Sequence, residues 1–303
     1  YYAVERAPLS LAHSLGTVHN MPPPTQGLAS LMILGIVDRL EAMHGPVAPD
    51  SLAFVHRIVE ATKRAFLVRD RFVTDFDRLD GDPLAYLTRG TLQREAEQVD
   101  THRALPWPHK AAPGDTIWMG AADSEGRVVS YIQSIYWEFG SGCVSRSTGF
   151  LMQNRGSSFS LDPKALNPLE PGRRPFHTLN PAMAQLRDGR VFAYGTMGGE
   201  GQPQTQAQVF ERHVRHGMPL EEALDAPRWL LGRTWGSSVT SLRFESRFDE
   251  DLLRDLARMG HQTAVMDEAW SDTMGHAGGV TLHPDRSLSG AHDPRADGGA
   301  AGV

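Results

Sequence analysis

The chain has 303 residues, 40% of them hydrophobic and 22% charged, with a formal net charge of -6 at pH 7. A chain of this size and composition can bury a large core, and it lacks the basic excess typical of nucleic-acid-binding proteins. Its single cysteine, Cys143, excludes an internal disulfide and a cysteine-based metal site, and we expect it to be a small buried hydrophobe.

The first part of the chain is predicted to be helical. Apolar residues recur at helical spacing over 28–43, and Gly45-Pro46 ends this run. A second helix fits residues 51–70. Four of its charged residues are expected to form a solvated face: Arg57, Glu60, Lys63 and Arg64. The proline-rich stretch 101–113 predicts a loop that solvent can reach, as a processing site requires.

The second part of the chain is predicted to be mainly β. Residues 117–122 and 128–136 flank a turn-rich joint at 123–126 and indicate a hairpin. Further strands are predicted at 149–153, 181–186, 191–194, 263–266 and 278–282, and further helices at 205–216 and 248–259. Strands in pairs, with helices toward either end of the sequence, indicate an α+β layered architecture.

Thr116 is the first candidate for chemistry, because it follows Gly114-Asp115 and opens the first strand of the hairpin. Cleavage of the chain between Asp115 and Thr116 would leave one residue that carries both a hydroxyl nucleophile and an α-amine able to accept its proton. On local sequence alone, a threonine at this place is more simply a β-former that follows a turn.

Seven motifs follow one another along the chain. They are the segment 19–27, the Thr116 segment, Phe139-Gly140-Ser141-Gly142, Pro171-Gly172-Arg173-Arg174-Pro175, Gly195-Thr196-Met197-Gly198-Gly199, Met274-Gly275-His276-Ala277 and Asp293-Pro294-Arg295. In this order and at these separations they resemble the γ-glutamyltransferase family of self-cleaving N-terminal nucleophile hydrolases. The resemblance implies a four-layer αββα sandwich. It also implies two parts: 1–115, the C-terminal part of a large chain, and 116–303, a small catalytic chain that begins at the nucleophile.

The resemblance also implies roles for individual residues. It places the oxyanion donors at Gly198 and Gly199, where the absence of side chains allows a substrate close approach to the backbone. It places at Ser134 a hydroxyl that supports the nucleophile. As bare residues, the glycine pair is a common turn and Ser134 is an ordinary strand serine. The motifs at 274–277 and 293–295 are expected to serve packing and turn geometry.

The positions that bind the α-amine of the substrate in this family are Tyr136, Arg155 and Ser158 here. A guanidinium accepts no hydrogen bond and repels an ammonium, so a glutamyl α-amine suits this site poorly. A carboxylate suits Arg155 better.

Two further pairs depart from the family pattern. His177 and Thr178 replace two serines, and His177 is able to donate to a substrate carboxylate, although an isolated histidine is more often a structural hydrogen-bonding group. Ile117 and Trp118 replace a polar pair, which predicts a smaller or drier pocket. These changes resemble the subgroup typified by oxamate amidohydrolase.

Three hypotheses about function remain open at this point. The first is a hydrolase of small anionic amides such as oxamate, which acts through an acyl ester on Thr116. The second keeps this nucleophile but assigns a bulkier acyl group, as in γ-glutamyl transfer or cephalosporin acylation, and a roomy pocket around Tyr136 and Trp118 would favour it. The third is an inactive truncated homologue, because the family takes a carboxylate-binding arginine from a large-chain region that this sequence lacks.

The expected partners are a small-molecule amide and the missing N-terminal half of the large chain, with a possible homo-oligomer of processed heterodimers. The chain begins at Tyr1 without an initiating Met, and we interpret it as a fragment or truncated copy of a longer proenzyme. No apolar run is long enough to span a membrane, and a cytoplasmic location is expected. Neither a cofactor nor a metal is predicted, since these histidines lack ligand spacing: His13, His19, His44, His56 and His102.

Overall fold

The computed structural model describes residues 3–107, 115–232 and 240–302. Its α-helices within these ranges are α1 (Gly27–His44), α2 (Leu52–Phe72), α3 (Arg89–Glu97), α4 (Gln202–Phe210), α5 (Leu220–Asp225) and α6 (Glu250–Arg258). Its strands are β1 (Leu9–His13), β2 (Gly16–Asn20), β3 (Asp115–Ala122), β4 (Val128–Tyr136), β5 (Ala182–Leu186), β6 (Val191–Thr196), β7 (Trp229–Leu231), β8 (Leu242–Phe244), β9 (Thr263–Val265), β10 (Ala277–Leu282) and β11 (Leu288–His292). A π-helical turn, Glu211–Arg215, continues α4.

The centre of the fold is a six-stranded sheet with the order β1-β2-β5-β6-β10-β11, in which every neighbouring pair is antiparallel. Helices α1 and α4 pack on one face of this sheet, and α2 packs on α1. Along β6, Phe192 and Tyr194 stack on each other, with ring centroids 4.8 Å apart, and Tyr194 lies 5.8 Å from Phe210 of α4. Alternate residues of β6 therefore point to the helices, and the residues between them point to the opposite face.

The hairpin β3–β4 packs on that opposite face of the sheet, over β6 and β10. Trp118 of β3 makes this contact by lying over glycines. A Cβ added at Gly195 would lie 2.2 Å from Cδ1 of Trp118, and one added at Gly278 would lie 2.8 Å from its Cζ3. Because no larger residue leaves room for the indole, these glycines set the position of β3 on the sheet.

The other face of the hairpin is exposed. Ile117 is 56% exposed, and Met119, Val129 and Tyr131 lie beside it with similar exposure. The prediction that Ile117 helps to make the pocket drier is therefore wrong, because strand alternation turns its side chain away from the sheet. Trp118 is the member of that pair that faces inward.

The two long helices agree with the sequence prediction, but the solvated face of α2 does not exist. Arg57, Glu60 and Lys63 are 7%, 2% and 1% exposed, and Arg64 is half-buried. Each charge has a partner of opposite sign at 2.7 Å: Arg57 with Glu41, Lys63 with Glu60, and Arg64 with Glu95. Neighbouring elements supply two of these partners, so the charges can be buried at a tolerable cost.

Two local predictions in the second part are also wrong. Residues 149–153 form no strand but only an isolated bridge between Val144 and Leu151, because the segment 141–152 folds back on itself through hydrogen bonds of its own backbone. Cys143 lies in this segment and is exposed, not buried. Of the predicted loop 101–113, residues 101–107 contain neither helix nor strand, and 108–113 lie outside the described residues.

In the described part of the chain, the hairpin packs on one face of the six-stranded sheet and helices pack on the other, and the α+β prediction is confirmed. A small sheet with the order β7-β8-β9 lies beside them. Among the helices that the structure describes, none combines the length and the apolar character needed to cross a bilayer.

Candidate active site

Thr116 is the second residue of β3, on the face of the hairpin that is turned toward the sheet. It is 9% exposed. Asp115 pairs with Tyr136 whereas Ile117 pairs with Gln133, so β4 has one residue more than β3 between these pairs. Thr116 therefore lies opposite Ser134 and Ile135 at a β-bulge. Bulges re-aim side chains next to functional sites, and this one places Ser134 beside the candidate nucleophile.

Tyr136 ends β4 in an unfavourable backbone conformation. Its φ is +82°, which is rare for a bulky residue, and such strain costs on the order of 1–3 kcal/mol. The side chain is 2% exposed, and burial raises the pKa of its hydroxyl. Strain that is retained at a buried residue is typical of a site where geometry matters more than local stability.

Arg155 covers the ring of Tyr136, with its guanidinium carbon 4.8 Å from the ring centroid. It is 5% exposed, and its Nη1 donates to Oγ1 of Thr178 over 3.4 Å. Its Nη2 is buried without a hydrogen-bond partner, and no carboxylate among the described residues pairs with it. Burial lowers the pKa of Arg155 to about 10, so the side chain still carries its charge at neutral pH. A buried cation without a counter-ion among the described residues is costly, and a bound anion would lower this cost.

His177 and Thr178 lie beside Arg155. The backbone N–H of His177 donates to the carbonyl of Pro24 over 3.1 Å, which ties this segment to the loop before α1. The Nδ1 atom of His177 is buried without a partner among the described residues. Burial, followed by the charge of Arg155, lowers the pKa of His177 to about 3, so the ring is neutral at physiological pH. Thr178 is 1% exposed.

Gly198 and Gly199 form the turn between β6 and α4. Their φ angles are +117° and +53°, a conformation that favours glycine at both positions. A Cβ at Gly198 would lie 3.3 Å from the Cα of Gly275, and the N–H of Met197 donates to the carbonyl of His276 over 3.2 Å. The motif at 274–277 thus packs against this turn, in agreement with the packing role expected for it.

Three buried residues that the sequence analysis did not single out connect these parts. Gln26 donates to the carbonyls of Thr178 and Gly199, and Arg69 donates to both Gln26 and Glu200. Gln26 belongs to the motif at 19–27, but no role was predicted for it; its position directly before an apolar helix was a second signal, because a buried amide needs partners.

The structure brings the predicted site residues into one region from three parts of the chain. The hairpin contributes Thr116, Ser134 and Tyr136, and the turn after β6 contributes the two glycines. The segment between them in sequence contributes Arg155, His177 and Thr178. Tyr136, Arg155 and Thr178 are in direct contact, and Glu200 acts electrostatically on Tyr136. The cleavage site stays a prediction, since residues 108–114 and the side chain of Asp115 lie outside the described part.

One cluster corrects the view that the histidines are scattered. His56, Glu60 and His261 are buried together, with potential ligand atoms within 4.8 Å of one another. His56 Nδ1 lies 2.8 Å from His261 Nε2, and its Nε2 lies 2.8 Å from the carbonyl of Asp100. The ammonium of Lys63 lies 2.7 Å from Glu60. The atoms that could bind a metal are thus already used in hydrogen bonds or in an ion pair. The ammonium of Lys63 would also repel a metal cation, so the cluster supports no metal assignment.

Comparisons with known proteins show which family the chain belongs to. The sequence model of the family described as gamma-glutamyltranspeptidase matches residues 1–303. The chain is 54% identical to the oxamate amidohydrolase proenzyme of Klebsiella pneumoniae over 295 residues, which are 97% of this chain and 55% of that protein. It is 38% identical to the glutathione hydrolase-like YwrD proenzyme of Bacillus subtilis over 297 residues, 98% of this chain and 56% of that protein.

Among solved structures, the chain is similar to a cephalosporin acylase from Bacillus halodurans, with a TM-score of 0.81 and 32% identity. The similarity covers 96% of this chain and 52% of that chain. It confirms the predicted fold, the α+β sandwich of N-terminal nucleophile hydrolases. The chain spans about half the length of the curated relatives it matches.

Proposed function

Because the chain belongs to the γ-glutamyltranspeptidase family, we propose that it forms the catalytic part of an amidohydrolase that cleaves a small anionic amide such as oxamate. In this proposal the chain is cut between Asp115 and Thr116, and residues 116–303 become a separate small chain. The 54% identity to an oxamate amidohydrolase proenzyme supports the reaction class and the substrate.

The proposed reaction has two steps. The hydroxyl of Thr116 attacks the amide carbonyl while its own α-amine takes the hydroxyl proton, and the backbone at Gly198 and Gly199 stabilises the negative oxygen. The C–N bond breaks, the nitrogen takes a proton and ammonia leaves. Water then attacks the acyl ester, so that oxamate and water yield oxalate and ammonia.

The observation that carries the substrate assignment is the buried guanidinium of Arg155, which pairs with no carboxylate of the described residues. A buried charge without a counter-ion is costly, and a substrate carboxylate would supply both the missing charge and an acceptor for Nη2. The same cation repels the α-ammonium of a γ-glutamyl group. Nδ1 of the neighbouring His177, which has no partner among the described residues, offers the substrate a further polar contact.

The hypothesis of a bulkier acyl group needs room around Tyr136 and Trp118. Tyr136 is 2% exposed beneath Arg155, and Trp118 is packed onto Gly195 and Gly278. Both side chains are thus packed closely against their neighbours. This packing favours a small substrate over γ-glutamyl or cephalosporin side chains.

The test compares two amides on the purified protein. We expect the wild type to release ammonia from oxamate and to show little activity on a γ-glutamyl anilide, and we expect Thr116→Ala to be inactive on both. Thr263→Ala is the matched control, because Thr263 also begins a strand but lies outside the site. A preference for the anilide, or an active Thr116→Ala protein, would contradict the proposal.

A further inference from the structure

Gln26 connects two parts of the proposed site through one side-chain amide: the segment 155–178, here called the carboxylate-binding segment, and the turn of Gly198 and Gly199, here called the oxyanion turn. It directly precedes α1 and is 0% exposed. Its Nε2 donates one hydrogen bond to the carbonyl of Thr178, over 3.0 Å, and another to the carbonyl of Gly199, over 2.8 Å. Both hydrogens of a single amide are thus used, one on each side of the site.

Arg69 fixes the orientation of the Gln26 side-chain amide. Oε1 of Gln26 accepts a hydrogen bond from Nη1 of Arg69 over 3.2 Å, and Nη2 of Arg69 forms an ion pair of 3.1 Å with Glu200. Arg69 also covers the ring of Phe66 at 3.9 Å. Because an arginine can only donate hydrogen bonds, Arg69 holds the amide oxygen of Gln26 toward itself, and the amide nitrogen then faces the carbonyls of Thr178 and Gly199.

We infer that Gln26 is a positioning residue that sets the distance between the carboxylate-binding segment and the oxyanion turn. The inference rests on the proposed function for the roles of Thr178 and Gly199. A substrate as short as oxamate has its carboxylate and its reacting carbonyl on adjacent carbons. Its two binding elements must therefore be held at one fixed separation, since small errors in oxyanion geometry are costly.

The contacts indicate what loss of the amide would do. Two buried carbonyls would lose a donor, and each unsatisfied group costs about 1–3 kcal/mol unless the backbone moves to find another partner. A backbone movement at Thr178 or at Gly199 would change the distance between the carboxylate-binding segment and the oxyanion turn. We therefore expect both binding and the chemical step to suffer, which distinguishes positioning from a general loss of folded protein.

The experiment uses Gln26→Glu, which keeps the shape but places a carboxylate against two carbonyls, and Gln26→Met, which keeps the volume without donors. The matched control is Gln208→Glu. Gln208 is also 0% exposed and also donates to two carbonyls, those of Gln204 and Trp229, but it lies away from the site. Rates are expressed per processed, folded active site.

For the Gln26 variants we expect KM for oxamate to rise about tenfold and kcat to fall about 10- to 100-fold. The Gln208 variant should keep both constants within about twofold of the wild type. A purely structural role would lower the amount of active enzyme and leave KM unchanged, and that result would overturn the inference.

Hydrogen exchange separates this inference from the proposed function. In Gln26→Met we expect faster amide exchange in segments 177–180 and 198–202, with no change in strands β1 and β2. If the wild type cleaves no oxamate, the proposed function fails, and the exchange data still test the mechanical link. Unchanged exchange in either segment would overturn it.

Discussion

At the scale of single residues, Arg155 is a buried cation that no carboxylate of the described residues neutralises. Elsewhere in the chain a buried arginine has a carboxylate partner, as Arg57 has Glu41 at 2.7 Å. Arg155 instead has a threonine hydroxyl and an aromatic ring. An unpaired buried charge is destabilising, and such local costs are typical of binding sites.

Replacement of Arg155 should therefore change activity and stability in opposite directions. In Arg155→Met we expect KM for oxamate to rise about 100-fold, because charge-assisted hydrogen bonds are worth about 1.5–3 kcal/mol each. We expect the free energy of unfolding to stay the same or rise, because an uncompensated charge is removed. Steady-state kinetics and urea unfolding measure the two quantities.

Arg57→Met is the matched control for this prediction. It leaves Glu41 without its buried partner, so the protein should lose stability by about 3–5 kcal/mol while KM stays unchanged. An Arg155→Met protein that loses stability and keeps its KM would show that Arg155 is structural.

His261 predicts how stability depends on pH. Burial, together with Lys63 and His56, lowers its pKa from 6.5 to about 3. Between these values the unfolded chain binds one proton more than the folded chain, so the contribution is full above pH 6.5 and is lost as the pH falls. His261→Gln keeps an N–H for His56 but does not titrate. Urea unfolding near pH 5 and above pH 7 should show a smaller loss of stability in the variant, and an equal loss would contradict the assignment.

Among the secondary-structure elements, hydrophobic periodicity was sufficient to predict the two long helices, but it did not predict which of their charged side chains are buried. The apolar spacing of 28–43 and 51–70 predicts α1 and α2 within two residues at each end. The burial of Lys63 and Arg64 was missed, because their surroundings, Leu105 and Glu95, belong to later segments. The strand predicted at 149–153 fails because local backbone hydrogen bonds, which the pattern does not contain, use the same groups.

The candidate site shows the same division between local and distant information. The family resemblance indicated Thr116, Arg155 and Gly198, but nothing in the sequence indicated that Gln26 joins two of these parts. Its hydrogen bonds cross 152 and 173 positions of the chain. Contacts of this range follow from topology, not from any local pattern.

A buried ion network at the end of the chain yields a prediction for the elements around the oxyanion turn. Arg295 pairs with Glu245 at 2.6 Å and with Asp293 at 3.0 Å, and Asp293 also pairs with Arg228 at 2.6 Å. All four side chains are fully buried. Arg228 in turn donates to the carbonyl of Gly275, which supports the turn at Gly198.

Glu245→Gln should therefore lower the free energy of unfolding by about 3–5 kcal/mol, because Arg295 keeps a buried charge with one partner fewer. Thermal or urea unfolding measures the change. The control is Asp251→Asn, which breaks the exposed pair of Asp251 and Arg254 and should change stability little. An equal loss of unfolding free energy in the two variants would mean that the buried ion network does not contribute more to stability than the exposed pair.

At the scale of the whole molecule, the strand that carries Thr116 is fixed from one side. Trp118 anchors its inner face on Gly195 and Gly278, while the outer face around Ile117 is exposed. In the proposal, the chain before β3 ends at the cut. Strand β3 then carries the new N-terminus, Thr116, at the site. The proposal therefore requires a break in the polypeptide directly before Thr116.

Intact mass of the purified protein under denaturing conditions shows whether this break exists. We expect two chains that divide between Asp115 and Thr116, and a single uncut chain in Thr116→Ala. A single uncut mass for the wild type, or a cut at another bond, would contradict the assignment of Thr116 as an N-terminal nucleophile.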